Sequence, residues 1–288
     1  MNPWTVPRSR RQATGPNVAD GWSSYPRVVD GIDSLSARDG RLFIVIGVFD
    51  GLHLGHQYLL RELGVAARER GARAAVVTFD HHPDEILIGT APPLLCDPAE
   101  RLDLLAEAGV DLTIVQTFDS ALRLTAYDVF IGRIAEHVDV AGFLMTPDAA
   151  FGNERRGTPQ AVAALGQVLG FDVVVVPSLD LGGRPVRSSE IRTAIAAGDL
   201  VGAARMLGRP YAVRGIAEDL AAGSMRVRFA MPVALPPAGD HRVVVEADLD
   251  GRPEGDRTVA VVQSDGTLVV TGNFGGVPPG AIRVTFGS

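Results

Sequence analysis

The chain contains no lysine; all 27 of its basic residues are arginine. That excludes a Walker A phosphate loop, which depends on a lysine. It also excludes Schiff-base and pyridoxal chemistry, which need a lysine amine. Any grip on phosphate must therefore come from arginine, histidine, hydroxyls and backbone N–H groups. Cysteine is nearly as scarce. Cys96 stands alone, so no intrachain disulfide can form, which fits a reducing, cytoplasmic setting. A lone cysteine of this kind is ordinarily a small core or loop residue. No apolar run reaches the roughly 18 residues that a membrane span requires, and no apolar signal segment stands near residue 1. The net charge of −7 argues against a general nucleic-acid binder.

What is present is organised around residues 42–56, LFIVIGVFDGLHLGH. An unbroken apolar run, Leu42 to Ile46, has the character of a fully buried parallel strand. The chain then turns through Gly47, Asp50 and Gly51 and reaches His53 and His56. A helical pattern follows, with Leu59, Leu60, Leu63, Ala66 and Ala67 on one side. A strand, a glycine turn and a helix start are the geometry in which backbone N–H groups and a positive helix end face an anion. Two imidazoles three apart share one face of that first turn.

Beyond it, strands are expected at 74–79, 112–116, 142–146 and 173–176, the last a buried strand. Helices are expected from Asp97-Pro98, with Asp at the N-cap, Pro at N1 and Glu100 at N3. Others start from a Thr125 cap to about His137, from Thr158-Pro159 to Gly170, and over 189–197 and 200–207. This alternation implies a doubly wound parallel sheet with helices on both faces. On such sheets ligands bind beyond the carboxyl ends of the strands. The strands ending near Ile46, Phe79 and Thr146 run into 47–56, 80–83 and 147–157, and the strand after them leads to 187–192. Residues 1–25 read as a loose tail, and 26–210 as the α/β domain. From Tyr211 the period becomes two, at Met225, Val227, Phe229, Met231 and Val233, at Val243, Val245, Ala247 and Leu249, and at Ile282, Val284 and Phe286. Turn signals at Asp250-Gly251 and Asp265-Gly266 separate the runs. Residues 211–288 thus read as a small all-β domain, a barrel or sandwich.

The stretch GVFDGLHLGH resembles the signature G-x-F-D-G-x-H-x-G-H of the HIGH-motif nucleotidylyltransferases, with Gly47, Phe49, Asp50, Gly51, His53, Gly55 and His56 all fitting. Later stretches narrow the resemblance to prokaryotic FAD synthetase. Thr78-Phe79-Asp80-His81-His82-Pro83 is similar to T-F-x-P-H-P, with His81 where proline is usual. Residues 148–157, DAAFGNERRG, are similar to the family's flavin-side loop at Asp148, Phe151, Gly152, Arg155 and Gly157. Ala149 replaces the first aromatic there. Arg187 to Arg192 is similar to S-S-T-x-I-R at Ser188, Ser189, Ile191 and Arg192, and the L-G-R-P-Y context ends at Tyr211. The family's kinase motif G-x-P-T-A-N is missing after Tyr211.

The resemblance implies transfer of AMP from ATP to FMN, giving FAD and pyrophosphate, without riboflavin kinase activity. It assigns ATP to Gly47, Phe49, Asp50, Gly51, His53, Gly55, His56, Ser188, Ser189 and Arg192, with His53, His56 and Arg192 catalytic. It assigns FMN to His82, Asp148, Phe151, Gly152 and Arg155. Mg2+ would accompany ATP, with Asp50 either an outer-shell partner or a turn former. Blander readings stay open residue by residue. The histidines can be loop and cap residues or, as four of the six fall in two clusters, metal ligands; His82 can simply bond backbone; Ser188-Ser189 can be a cap. A different phosphorylated acceptor, or a nucleotide sensor without chemistry, also fits the pattern.

Overall fold

The computed structural model describes residues 26–221, 223–247, 256–271 and 281–287. The expected N-terminal tail, Leu249 and the Asp250-Gly251 turn lie outside these. The chain folds into two compact units. The first takes residues up to Phe49, Gly55–Pro92 and Leu102–Leu179; the second takes Asp50–Leu54, Pro93–Arg101 and the chain from Asp180 onward.

The first unit is built on six parallel strands: β1 (Arg27–Asp30), β2 (Arg41–Ile46), β3 (Arg73–Phe79), β4 (Leu112–Gln116), β5 (Asp139–Met145) and β6 (Asp172–Val175). Their order across the sheet is β1-β4-β3-β2-β5-β6. From β2 the chain winds to one side through β3 and β4, then crosses to β5 on the other. The switch point therefore falls between β2 and β5, where a doubly wound sheet opens a crevice at its carboxyl edge. Leu42, Ile44, Ala75, Val77, Leu112 and Ile114 fill the core of this unit, with Ile131 and Ile134 of a covering helix. The apolar runs of β2, β3 and β4 follow from burial on both faces. The strand at 172–175 is not buried as expected. It is the sheet edge, has a single neighbour, and leaves Val175 49% exposed.

Helix α1 (Leu54–Glu69) follows β2, and α2 (Pro83–Ile88) follows β3. Helix α3 (Pro98–Glu107) has Asp97 at its N-cap, accepting from Ala99 N–H at 2.8 Å and Glu100 N–H at 3.2 Å. Thr125 does not start the next long helix. It closes a short helix, α4 (Ser120–Leu124), which Asp119 caps, and its hydroxyl donates to Ala121 O. Helix α5 (Tyr127–His137) then starts from Ala126 without a side-chain cap. Helix α6 (Pro159–Leu169) starts at Thr158 and stops at Gly170 in the left-handed conformation, as its sequence predicts.

In the second unit a short hairpin, β7 (Asp180–Leu181) and β8 (Arg184–Pro185), precedes α7 (Ser188–Ala196) and α8 (Leu200–Leu207). Six further strands follow: β9 (Ala212–Ala221), β10 (Ser224–Arg228), β11 (Gly239–Ala247), β12 (Asp256–Val262), β13 (Leu268–Thr271) and β14 (Ala281–Phe286). They close into an antiparallel barrel in the order β10-β13-β12-β11-β14-β9. Period-two residues Met225, Val227, Val243, Val245, Ile282 and Val284 fill it. The expected run through Phe229, Met231 and Val233 ends as a strand at Arg228. The barrel core is shared with Leu95, with Ile191 and Ile195 of α7, and with Ala203 and Leu207 of α8. Tyr211 is buried where the barrel begins and donates its hydroxyl to Ala234 O at 2.5 Å. Burial, with Asp50 nearby, raises its phenol well above the usual range. Glu100, the expected N3 acid of a capping box, instead sits buried on Arg283 of β14 at 2.6 Å.

Candidate active site

The turn after β2 is made by a run of unusual backbone conformations. Gly47 N–H donates to Val77 O at 3.0 Å, and the Thr78 hydroxyl donates to Val48 O at 3.0 Å. The chain then passes through positive φ at Phe49 (53°), Gly51 (76°) and Leu52 (34°). Only glycine fits position 51: a Cβ there would stand 2.8 Å from Leu95 Cβ, in a conformation L-residues avoid. Phe49 and Leu52 hold their strain while each is 2% exposed. Such strain costs about 1–3 kcal/mol per residue and persists where packing over-determines it. The Phe49 ring lies against the His56 ring, centroids 5.1 Å apart.

In the second unit three sequence-distant segments meet at Asp50. Its carboxylate is 3% exposed. It accepts from Leu95 N–H at 2.9 and 3.1 Å, from Cys96 N–H at 3.3 Å, and from Arg192 Nη2 at 2.6 Å. Its own carbonyl accepts from the Ser188 hydroxyl at 3.1 Å. Arg192 Nε donates to Pro93 O at 2.8 Å, and Gly51 N–H donates to Cys96 Sγ at 3.2 Å. Burial, then the adjacent Asp50, raises the Cys96 thiol, so it remains neutral and inert, accepting from Gly51 N–H and donating to Asp50 Oδ1 at 3.9 Å. The two helix beginnings singled out in the sequence, at 50–54 and 187–192, are thus adjacent in the fold. No side chain caps the first turn of α7. Asp50, left open as an outer-shell acid or a turn former, is a buried latch between them.

Arg209 was quoted in the sequence only as part of L-G-R-P-Y. It donates from Nη2 to Gly51 O at 2.9 Å and from Nη1 to Leu52 O at 3.4 Å. His53 is 4% exposed. Burial first, then the charge of Arg209 and more weakly that of Arg192, lowers its pKa to about 4. At neutral pH His53 is therefore uncharged and offers a phosphate an N–H hydrogen bond rather than a charge.

The first unit carries the remaining candidates. A cavity of about 280 Å³ opens at the switch point. It is lined by Val45 and Ile46 at the end of β2, by Phe143 to Thr146 at the end of β5, and by Asp148, Phe151 and Arg155 beyond it. The Thr146 hydroxyl donates to Asp148 Oδ1 at 2.9 Å. Phe151 pairs with Gly157 across the loop and meets Phe130 edge to face. Gly152 (φ 74°) has no room for a side chain, because a Cβ would stand 2.6 Å from Tyr127 N. Glu154 and Arg155 both adopt φ 55°. His82 has another position: its ring is the N-cap of α2, where Nδ1 accepts from Asp84 N–H at 3.2 Å. Asp80, which the sequence left without a role, is buried and orders this corner by accepting from His81 and Phe118 N–H. Among the described residues no three His, Cys, Asp or Glu side chains cluster as a metal site, and no helix is long and apolar enough to cross a membrane.

A doubly wound sheet opening at its switch point, with glycine turns and histidines at the carboxyl ends of its strands, defines an α/β protein of the class that binds ligands in that crevice. The profile of the FAD synthetase family matches residues 35–190, and the chain belongs to that family. It is 36% identical over 174 residues to a bifunctional riboflavin kinase/FMN adenylyltransferase of Haemophilus influenzae, covering 60% of this chain and 56% of that one. It is 32% identical over 192 residues to the protein of the same name from Escherichia coli, covering 66% and 61%. The matched region thus spans about three fifths of these relatives. In fold, the chain is similar to the crystal structure of a macrolide-efflux protein from Streptococcus pneumoniae, with a TM-score of 0.75, 23% identity, and 90% and 88% of the two chains covered.

Proposed function

We propose that the chain is an FMN adenylyltransferase, converting ATP and FMN to FAD and pyrophosphate. The observation that carries this reading is the meeting of two separate helix beginnings at Asp50, which gathers His53, Ser188 and Arg192. The family of the chain and the switch-point cavity with Phe151 and Arg155 support FMN as the acceptor.

In the reaction an oxygen of the FMN phosphate attacks the α-phosphorus of ATP. A new P–O–P bond forms as the bond to the β-phosphate oxygen breaks, and pyrophosphate departs. The attacking phosphate is already ionised at neutral pH, so no general base is needed, and catalysis is positioning plus charge stabilisation. His53, as a neutral donor, and His56 steady the triphosphate. The first-turn N–H groups of α7 and the Arg192 guanidinium receive the leaving pyrophosphate. The Ser188 hydroxyl donates to Asp50 O, so its contribution is to fix the helix start beside the turn. Phe151 packs on the flavin ring and Arg155 pairs with the FMN phosphate.

Mg2+ fits this chain as a companion of ATP and not as a resident ion. Asp50 is filled by donors from Leu95, Cys96 and Arg192, and among the described residues no His, Cys, Asp and Glu cluster stands ready for a metal. An ion held by substrate phosphates keeps most of its waters, and no step is assigned to it here. The reading is of a cytoplasmic enzyme of small-molecule substrates, without riboflavin kinase activity.

The test is chromatography of the protein incubated with ATP, MgCl2 and FMN, with riboflavin in a parallel arm. FAD and pyrophosphate form from FMN, and riboflavin is unchanged. Tight nucleotide binding without pyrophosphate release would make the chain a sensor. Pyrophosphate release only with another phosphate monoester would reassign the acceptor.

A further inference from the structure

We propose that Asp50 is a positioning residue for Arg192, and that the backbone of residues 93–96 completes the device, holding the guanidinium in its working orientation before any phosphate arrives. The proposal rests on the adenylyl-transfer reading above and deepens it. A guanidinium is planar and carries five N–H donors. Arg192 is held at two of its nitrogens, Nε by Pro93 O and Nη2 by Asp50 Oδ2. Two anchors on different nitrogens fix the plane of the group and direct the remaining donors.

Asp50 can anchor because it is itself anchored. The Leu95 and Cys96 N–H groups that it accepts from belong to the main chain and cannot rotate away. The arrangement also has an electrostatic consequence. The carboxylate offsets the positive charge of Arg192, so the pair gives up ground-state attraction for ATP and gains fixed geometry. Geometry that matters only as charge moves to the leaving group acts on kcat, whereas simple attraction acts on KM.

Asp50→Asn separates these effects. The amide oxygen still accepts from Leu95 and Cys96, which turns its NH2 toward Arg192 and sets donor against donor. The expected result is a fall in kcat of about 30-fold or more, the scale of a misdirected charge-stabilising donor, with KM for ATP unchanged or lower. Loss of fold would raise KM or lower the active fraction instead. Arg192→Gln should lower kcat to a similar level, and the double variant should fall within about twofold of Arg192→Gln alone, because contacting residues that act as one unit are not additive. A kcat for Asp50→Asn within twofold of the parent, or multiplying effects in the double variant, would overturn the proposal. Arginine-labelled NMR of the parent protein decides the point without the Asp50 variant. The Nε–H signal of Arg192, donated to Pro93 O, and an Nη–H signal, donated to Asp50, both assigned by their loss in Arg192→Gln, should be present and slowly exchanging before ATP is added. A signal that exchanges freely until ATP is added would sink the latch. If the parent makes no FAD, the reaction reading fails while the Nη–H signal still decides whether Asp50 holds Arg192.

Discussion

Among the described residues, four non-glycine residues have positive φ, and all four lie in two loops: Phe49 and Leu52 after β2, Glu154 and Arg155 after β5. The two loops hold their strain differently. Phe49 and Leu52 are buried, and the adjoining Asp50 is bonded to main-chain groups 45 and 46 residues away. Glu154 and Arg155 are exposed, in a local turn closed by Arg155 N–H to Gly152 O, and Glu154 makes a solvent-facing ion pair with Arg156 at 2.8 Å. Exposed pairs of this kind contribute little. The lesson is that the loop after β2 is held by distant parts of the fold, while the loop after β5 is shaped by its own short turn. Of the departures from the family pattern that the sequence shows, Ala149 lies at this second loop and His81 follows β3.

The comparison is tested first where the largest effect is expected. Arg192→Ala should lower turnover about 100- to 1,000-fold, the usual loss on removing one charge-stabilising donor. It should also cost about 3 kcal/mol of stability, because it leaves a buried carboxylate without its ionic partner. Steady-state kinetics and denaturant melts read both, and normal turnover would remove the preorganised side of the contrast. Leu52→Gly relieves positive φ but deletes a buried side chain, so it should destabilise by roughly 3 kcal/mol in a thermal melt.

The pH dependence of His53 is of similar size. Its folded pKa of about 4 lies below its unfolded value of 6.5. Between these pH values the unfolded chain binds the extra proton, so stability rises with pH across the window and is lost as pH falls through it. Outside the window this group adds no slope. The span corresponds to about 3 kcal/mol, and it should appear as a pH-dependent difference between parent and His53→Gln melts, the variant lacking this slope. A parallel pair of curves would show that His53 titrates normally. Smaller effects belong to the loop after β5. Arg155→Ala should raise KM for FMN about tenfold, the worth of one exposed charge-assisted contact, with KM for ATP unchanged. Smallest is Glu154→Gly, which should stabilise by up to about 1 kcal/mol because strain is relieved and no burial is lost. If it destabilises as much as Leu52→Gly, the distinction between buried and local support disappears.

Much of the sheet was legible because its signals are local. Buried parallel strands read as apolar runs, and Thr158-Pro159 to Gly170 carries both of its caps in sequence. A small all-β unit was legible from period-two alternation, whereas its closure into a barrel rather than a sandwich was left open by the sequence. What failed was contextual. The run at 172–175 looks like any buried strand, and only its place at the sheet edge exposes it. Thr125 has the chemistry of an N-cap but stands at the end of α4. Within the site, His53 and Arg192 stood out in their motifs. The segment at 93–96 did not, because its contribution is main-chain N–H and C=O, which every residue has. Asp50 was visible as a motif position, yet its partner lies 142 residues away, and no local pattern encodes a bond of that span. Arg209 was in view and unassigned for the same reason.

The apolar faces of α7 and α8 have no home other than the barrel, since Ile191, Ile195, Ala203 and Leu207 share its interior. A chain ended at residue 211 would uncover those faces and unmoor the helix that bears Ser188 and Arg192. The barrel is in this sense a foundation for α7. Its upkeep is accounted for by that mechanical duty, whether or not any reaction takes place inside it.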